Sequence, residues 1–256
     1  MLNVRAPAKL TVSLRVTGVR ADGYHELDAE MVTLSLADEL AIEEGGHGLV
    51  VAAAPWVRAG GLPPLDDNLI GRALAACGRR AAVRLAKHIP VGAGLGGGSA
   101  DAAAILRWAG ATDPALSAGL GADVPFCVAG GRARVGGVGE RITGLGYERR
   151  DYLLLLPPFG VDTAAVYRAW DDDPTHEGPN ELAGAALVTE PRLAAWRDAL
   201  GNLAGREPRL AGSGSTWFVE GGPAEAGTED APELRLKGEK ARLVRVHTVP
   251  AGWEGD

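Results

Sequence analysis

Twelve consecutive residues set the terms for this chain: Pro90 to Asp101 reads PVGAGLGGGSAD. Five glycines fall among the eight residues after Pro90, and none of the eight is charged. Backbone this rich in glycine loses too much conformational entropy to sit inside a strand or helix, so the run is a loop. Pro90 ends a strand predicted over Ala81–Ala86, and Ser99 can cap a helix predicted over Ala100–Ala109 with Asp101 in its first turn. A Walker loop requires GxxxxGK[ST], and no lysine lies within or just after the run. Gly92, Gly94 and Gly97 have the GxGxxG spacing of a dinucleotide turn. That turn needs a strand running straight into it and a second parallel strand soon after the helix; Pro90 interrupts the first and no apolar run after Ala109 supplies the second. The remaining reading is a phosphate cradle of another type, in which glycine N–H groups approach an anion and the following helix directs its positive end at it. A flexible linker is the bland alternative, but linkers rarely sit between a strand and a capped helix.

The rest of the composition bounds what such a cradle can serve. With 256 residues and 46% hydrophobic content, the chain can form one large domain or two modest ones, each with its own core. A formal net charge of -7 and a pI near 5.3 argue against a nucleic-acid partner, which would call for a basic face. No stretch approaches about 18 uninterrupted apolar residues, and MLNVRAPAKL lacks the regions of a signal peptide, so a soluble, cytoplasmic protein with no membrane contact is expected. Cys77 and Cys127 show neither CxxC nor His-spaced patterning and read as buried thiols. Only Lys9, Lys87, Lys237 and Lys240 are lysine, all other cations being arginine, so each lysine is conspicuous as a compact point charge.

Lys9–Val16 reads as a half-buried strand with Leu10, Val12, Leu14 and Val16 on one side, followed by a turn at Asp22-Gly23. Glu30–Leu36 and Glu39–Glu43 are predicted as two further strands, and the acidic or amide side chain of Asp67-Asn68 as the cap of a helix through Ala76. Further helices are expected over Pro114–Gly119, Thr163–Trp170, Glu181–Leu187 and Leu193–Leu203, and strands over Tyr152–Leu156, Thr216–Glu220 and Ala241–Val249. Gly221–Pro232, rich in Gly, Pro, Ala and acidic residues, reads as an exposed connection.

Four more blocks stand in order around the glycine run: APAKLTVSLRVTGVRADGYHEL at Ala6–Leu27, DNLIGRA at Asp67–Ala73, GADVPFCVAGG at Gly121–Gly131 and AGSGSTWF at Ala211–Phe218. Together the five resemble the motifs of the GHMP kinases, the relatives of galactokinase, homoserine kinase, mevalonate kinase and phosphomevalonate kinase. The resemblance implies an α+β, two-domain GHMP kinase fold. Residues 1–148 would form a ribosomal protein S5 domain 2-like N-terminal domain and residues 149–256 a ferredoxin-like C-terminal domain, with the site in the cleft between. It also implies ATP with Mg2+. The long GLGGGSAD form resembles the family members that phosphorylate a cytidyl diphosphate alcohol in the non-mevalonate isoprenoid precursor pathway. Another small alcohol, such as homoserine or a sugar, is the alternative within the family, and a non-catalytic nucleotide sensor is the alternative outside enzymes.

Residue by residue, the resemblance makes Asp123 the group that accepts or orients the proton of the attacking hydroxyl, and Lys9 its partner. The bland readings are a turn-capping aspartate and a solvated lysine at a strand end. ATP would be met by Asn68 and Lys87 on the adenine side. Its phosphates would be met by Pro90, Val91, Gly92, Ala93, Gly94, Leu95, Gly96, Gly97, Gly98, Ser99 and Ala100, with Ser99 also the candidate Mg2+ ligand. Thr11, Tyr24, His25, Tyr167, Gly212, Ser213 and Gly214 would form the substrate side, the aromatic residues enclosing a cytosine base and His25 giving it polar contact. Three positions depart from the family's pattern: Thr11 where Asn is usual, Ala100 where a second Ser is common, and Ser215 where Pro is usual. The first removes an amide from the substrate side.

Overall fold

The computed structural model describes residues 1–57, 62–221 and 233–255. Its spine is an antiparallel hairpin of two very long strands, β1 (Leu2–Val19) and β2 (His25–Glu44), joined through a turn at Gly23, whose φ of 84° suits glycine. β1 runs along one edge of β2. On the other edge, β5 (Arg132–Gly137) pairs with residues 27–32 and β4 (Ala81–Lys87) with residues 39–44. β3 (Gly48–Ala53) joins β4 in parallel, and β6 (Arg141–Leu145) completes the sheet beside β5. Helices α1 (Leu69–Ala76), α2 (Gly97–Ala109), α3 (Pro114–Leu120) and α4 (Val124–Ala129) cover it. Of the two side chains that could cap α1, Asn68 does so, its Oδ1 accepting from the Ile70 N–H at 3.0 Å.

A second, antiparallel sheet has the order β10 (Glu233–Leu236), β11 (Glu239–His247), β7 (Asp151–Leu156), β9 (Trp217–Glu220), β8 (Arg209–Leu210). The run YLLLL in β7 is apolar throughout because both its faces are covered. Leu153 and Leu155 share a cluster with residues of α5 (Thr163–Asp172), α6 (Ala183–Thr189) and α7 (Arg192–Ala204). Tyr152, Leu154 and Leu156 face the other way, onto Leu10, Val32, Leu34, Ala93 and Leu95.

Four sequence expectations change here. Leu10, Val12, Leu14 and Val16 do not share one side: Leu10 and Val12 enter the cluster beneath the second sheet, Leu14 and Val16 the helix-covered core of the first. The cause is a register shift between Thr11 and Ser13 that leaves Val12 as the extra residue, with another between Pro7 and Lys9. Between these shifts Lys9 and Thr11 are turned toward the helices. Secondly, β2 is one strand, where two were expected. Asp38, which falls between the two expected strands, is a fully buried strand residue whose Oδ1 accepts from the N–H groups of His88 and Ile89 at 2.5 and 2.8 Å. Thirdly, α2 begins at Gly97, so Ser99 is its third residue and Gly96, in the left-handed region at φ 67°, takes the cap position. Asp101 lies one turn deeper than expected. Lastly, of the connection expected over Gly221–Pro232, only Gly221 is among the described residues, and it is tied to β7 by its N–H donating to Asp151 O at 2.6 Å. Cys77 and Cys127 are free thiols, half-buried and buried.

Candidate active site

The glycine loop is clamped from two sides by backbone. Lys9 N–H in β1 donates to Leu95 O at 3.0 Å. From the second sheet, Ser215 N–H donates to Gly92 O and Thr216 N–H to Ala93 O, both at 3.2 Å. Contact is so close that a Cβ on Gly94 would stand 2.2 Å from Ala211 O, and one on Gly96 2.8 Å from Lys9 Cγ. Buried Asn180 holds the opposite turn, donating from Nδ2 to Leu210 O at 2.9 Å and Gly212 O at 2.7 Å. No side chain caps α2, and its first helical bond is from Ala100 N–H to Gly96 O. The N–H groups of Gly97, Gly98 and Ser99 are therefore without intrahelical acceptors, the arrangement that receives an anion.

These N–H groups open into a cleft of about 460 Å3. Its wall includes Lys9, Thr11, Asn68, Asp123, Tyr167, Gly212 and Ser213 together with the loop from Pro90 to Gly94 and Gly96 to Ser99. The geometry thus gathers residues from β1, α2, the start of α4, α5 and the 211–216 turn. Lys9 Nζ lies 3.2 Å from Asp123 Oδ2 and donates to Thr11 Oγ1 at 3.1 Å. Asp123 takes the cap position of α4, but its side chain makes no capping bond there. Its carboxylate is given to Lys9 and to the cleft. Thr163 Oγ1 and Ser213 Oγ meet at 2.8 Å across the floor, joining α5 to the second glycine turn. A larger cleft of about 950 Å3, bounded by Arg5, Arg84, Trp108 and Trp253, holds neither the loop nor the Lys9–Asp123 pair.

Several expected residues sit elsewhere. Leu95 and Ala100 are buried behind the wall and hold the loop in place through their side chains. Gly214 lies behind Gly94, where its carbonyl would stand 2.7 Å from a Cβ on that glycine. Lys87, expected on the adenine side, lines the same cleft as Asn68 but is nearly covered: its ammonium sits beneath the loop, bonded to Asp38 Oδ2 and, at 2.8 Å, to Asp101 Oδ2. Burial opposes the Lys87 charge, but the carboxylates of Asp101 and Asp38 outweigh it and hold its pKa above the ordinary lysine value. Burial, with the charge of Asp38 added and Lys87 only partly offsetting, pushes Asp101 up to about 7. Tyr24 is at the hairpin tip, 63% exposed, while His25 stacks on Tyr167 with ring centroids 4.6 Å apart. Asp38, Thr163, Asn180 and Asp171 were not anticipated. Asn180 and buried Glu181, which accepts from Val16 N–H at 2.9 Å, had one signal: a polar pair inside the GPNEL turn.

Known proteins match this arrangement along nearly the whole chain. The profile of the GHMP kinases N terminal domain matches residues 68–131, from the α1 cap to the end of the Asp123 segment. The 4-diphosphocytidyl-2-C-methyl-D-erythritol kinase of Paracoccus denitrificans (strain Pd 1222) is 39% identical over 91% of this chain and 91% of its own. That of Moorella thermoacetica (strain ATCC 39073 / JCM 9320) is 38% identical over 79% and 76%. A crystal structure of 4-(cytidine 5'-diphospho)-2C-methyl-D-erythritol kinase superposes with a TM-score of 0.71 at 34% identity, covering 97% of this chain and 100% of that one. A mevalonate kinase at 13% identity and a TM-score of 0.57 shares the fold, in line with the expected α+β GHMP architecture. Likeness at this level, sustained through both sheets and the loop they clamp, means that the chain belongs to the 4-diphosphocytidyl-2-C-methyl-D-erythritol kinases, a branch of the GHMP kinase family.

Proposed function

We propose that this kinase transfers the γ-phosphoryl group of ATP to the 2-hydroxyl of 4-diphosphocytidyl-2-C-methyl-D-erythritol, giving ADP and the 2-phosphate. The observation that carries the reading is the Lys9–Asp123 pair, 3.2 Å apart, facing the same cleft as the uncapped start of α2. Phosphoryl transfer asks for alignment of the hydroxyl with the phosphate and for compensation of charge, with little covalent work by the protein. In this reading the N–H groups of Gly97, Gly98 and Ser99 and the positive end of α2 bind the phosphates. Asp123 orients the hydroxyl and accepts its proton at a carboxylate oxygen, while Lys9, steadied by Thr11, balances charge as the oxygen attacks. Asn68 and the outer loop meet the nucleotide; Thr11, Gly212, Ser213 and Tyr167 meet the alcohol and its base, with His25 and Tyr24 at the mouth.

Among the described residues no three His, Cys, Asp or Glu side chains cluster as a metal site. Among its oxygen donors the cleft wall places the Ser99 hydroxyl and the Asp123 carboxylate, which fit an ion carried largely by nucleotide phosphates and water. Bound there, Mg2+ would neutralise phosphate charge. The division at residues 148/149, a cytoplasmic location and the absence of a nucleic-acid partner belong to the same proposal. Among the described residues, no helix is long and apolar enough to cross a membrane.

Purified protein with ATP, Mg2+ and the cytidyl alcohol should release ADP in step with a phosphorylated product, whereas homoserine and galactose should not. Turnover of homoserine with the cytidyl compound ignored would overturn the substrate assignment; nucleotide binding without any turnover would make the chain a sensor.

A further inference from the structure

His25 opens β2 at the hairpin tip, and its ring is held by three residues of one helix. Nε2 lies 2.7 Å from Asp171 Oδ1. Tyr167 tilts over the imidazole at 4.6 Å between centroids and Trp170 meets it edge-on at 5.7 Å. Positions 167, 170 and 171 stand at i, i+3 and i+4 on α5, so one helical face grips the ring. The imidazole is 9% exposed while the Asp171 side chain is 45% exposed. Asp171 is the ring's hydrogen-bonding partner among the described residues, and it engages Nε2 alone. An ionised carboxylate only accepts, so the neutral ring carries its proton on Nε2 and a lone pair on Nδ1.

We propose that Asp171 is a positioning residue that fixes His25 as the Nε2–H tautomer, so that Nδ1 accepts from the amino group of a cytosine base. Uracil has a carbonyl in place of that amino group and would set one lone pair against another. Asp171 would thereby contribute to base choice without touching the base. The inference rests on the cytidyl reading above for its ligand and on the Asp171–His25 geometry for its mechanism.

Nitrogen-15 NMR of the imidazole in the full chain reads the tautomer directly. Wild type should show Nε2–H, and Asp171→Ala a mixture. In parallel, Asp171→Ala and Asp171→Asn should weaken CDP binding about tenfold with a smaller change for UDP, and raise KM for the cytidyl alcohol with the main effect on KM, not kcat. Asp171→Glu, which restores a carboxylate, should recover most of the preference. A wild-type Nδ1–H ring, an unchanged tautomer in Asp171→Ala, or equal losses for CDP and UDP would each overturn the proposal. Should wild type phosphorylate no cytidyl alcohol yet bind CDP over UDP through an Asp171-dependent tautomer, the proposed reaction would fall and this inference would stand.

Discussion

Two lysine–aspartate clusters flank the same glycine loop, and they are finished differently. Lys87, Asp38 and Asp101 are closed off: their side chains are 2%, 0% and 4% exposed, and the ammonium bonds both carboxylates. Lys9 and Asp123 meet at 3.2 Å with the aspartate side chain 30% exposed and turned to the cleft. A cluster this deeply buried can hold backbone in place and offers a substrate very little surface, although Lys87 and Asp101 touch the cleft wall from below and Asp101 Oδ1 has no hydrogen-bond partner among the described residues. An open pair costs little in stability and leaves a carboxylate ready for chemistry. The first cluster thus supports the loop and the second works above it, although in sequence both are simply a scarce lysine and an isolated acid.

The contrast is open to attack at several points. The largest effect should come from Asp38→Ala, which takes from Lys87 one of its two carboxylates and leaves the N–H groups of His88 and Ile89 without their acceptor; urea unfolding should show a loss of about 3–5 kcal/mol. Asp123→Ala should leave the unfolding midpoint near that of wild type and lower kcat by at least about 10²-fold in steady-state assays. If stability fell in the second and not the first, the division between support and chemistry would be wrong. Gly94→Ala should come next: its Cβ would fall 2.2 Å from Ala211 O at a φ of 76°, and the loop's displacement should raise KM for ATP about tenfold, from strain of about 1–3 kcal/mol.

The smallest effect sharpens the buried side. Asp101 has its folded pKa raised from 3.8 to about 7, so the folded state holds a proton that the unfolded state has lost. Its contribution to stability is therefore present at low pH and lost as pH rises from about 4 to about 7, then level above. Asp101→Asn removes this dependence, and thermal melts across that range should move in favour of the variant as pH increases.

Much of this was legible in the residues. The loop, its flanking strand and helix and a cap at Asp67-Asn68 could be read because turns and caps are local in sequence, whereas the pairing of Lys9 with Asp123, distant along the chain, comes only through the family resemblance. What escaped was set by tertiary contact. Asp38 falls outside both expected strands, and nothing nearby announces a partner 49 residues away. Ser99 reads as a cap, but Gly96 can take the left-handed turn that Lys9's close approach requires, moving the helix start two residues before Ser99. Lys87 stands out in the sequence for its rarity, but its two buried carboxylate partners do not, since the sequence does not say which face of β4 lies beneath the loop. The Asp171 grip on His25 joins residues 146 apart, and no spacing rule could find it.

The shift at Val12 has a consequence for how this protein can change. β1 behaves like a phased track: before the extra residue its odd positions serve the cleft, and after it Leu14 and Val16 take that same side for the core. Substitutions along the track alter one contact at a time. Deleting Val12 would keep Lys9, Thr11, Leu14 and Val16 on one side, because their partners Thr33, Met31, Ala29 and Leu27 alternate without a break along β2, and would cost only the side chain Val12 gives to the cluster beneath the second sheet; one residue inserted elsewhere between Lys9 and Leu14 would instead turn all that follows to the wrong face.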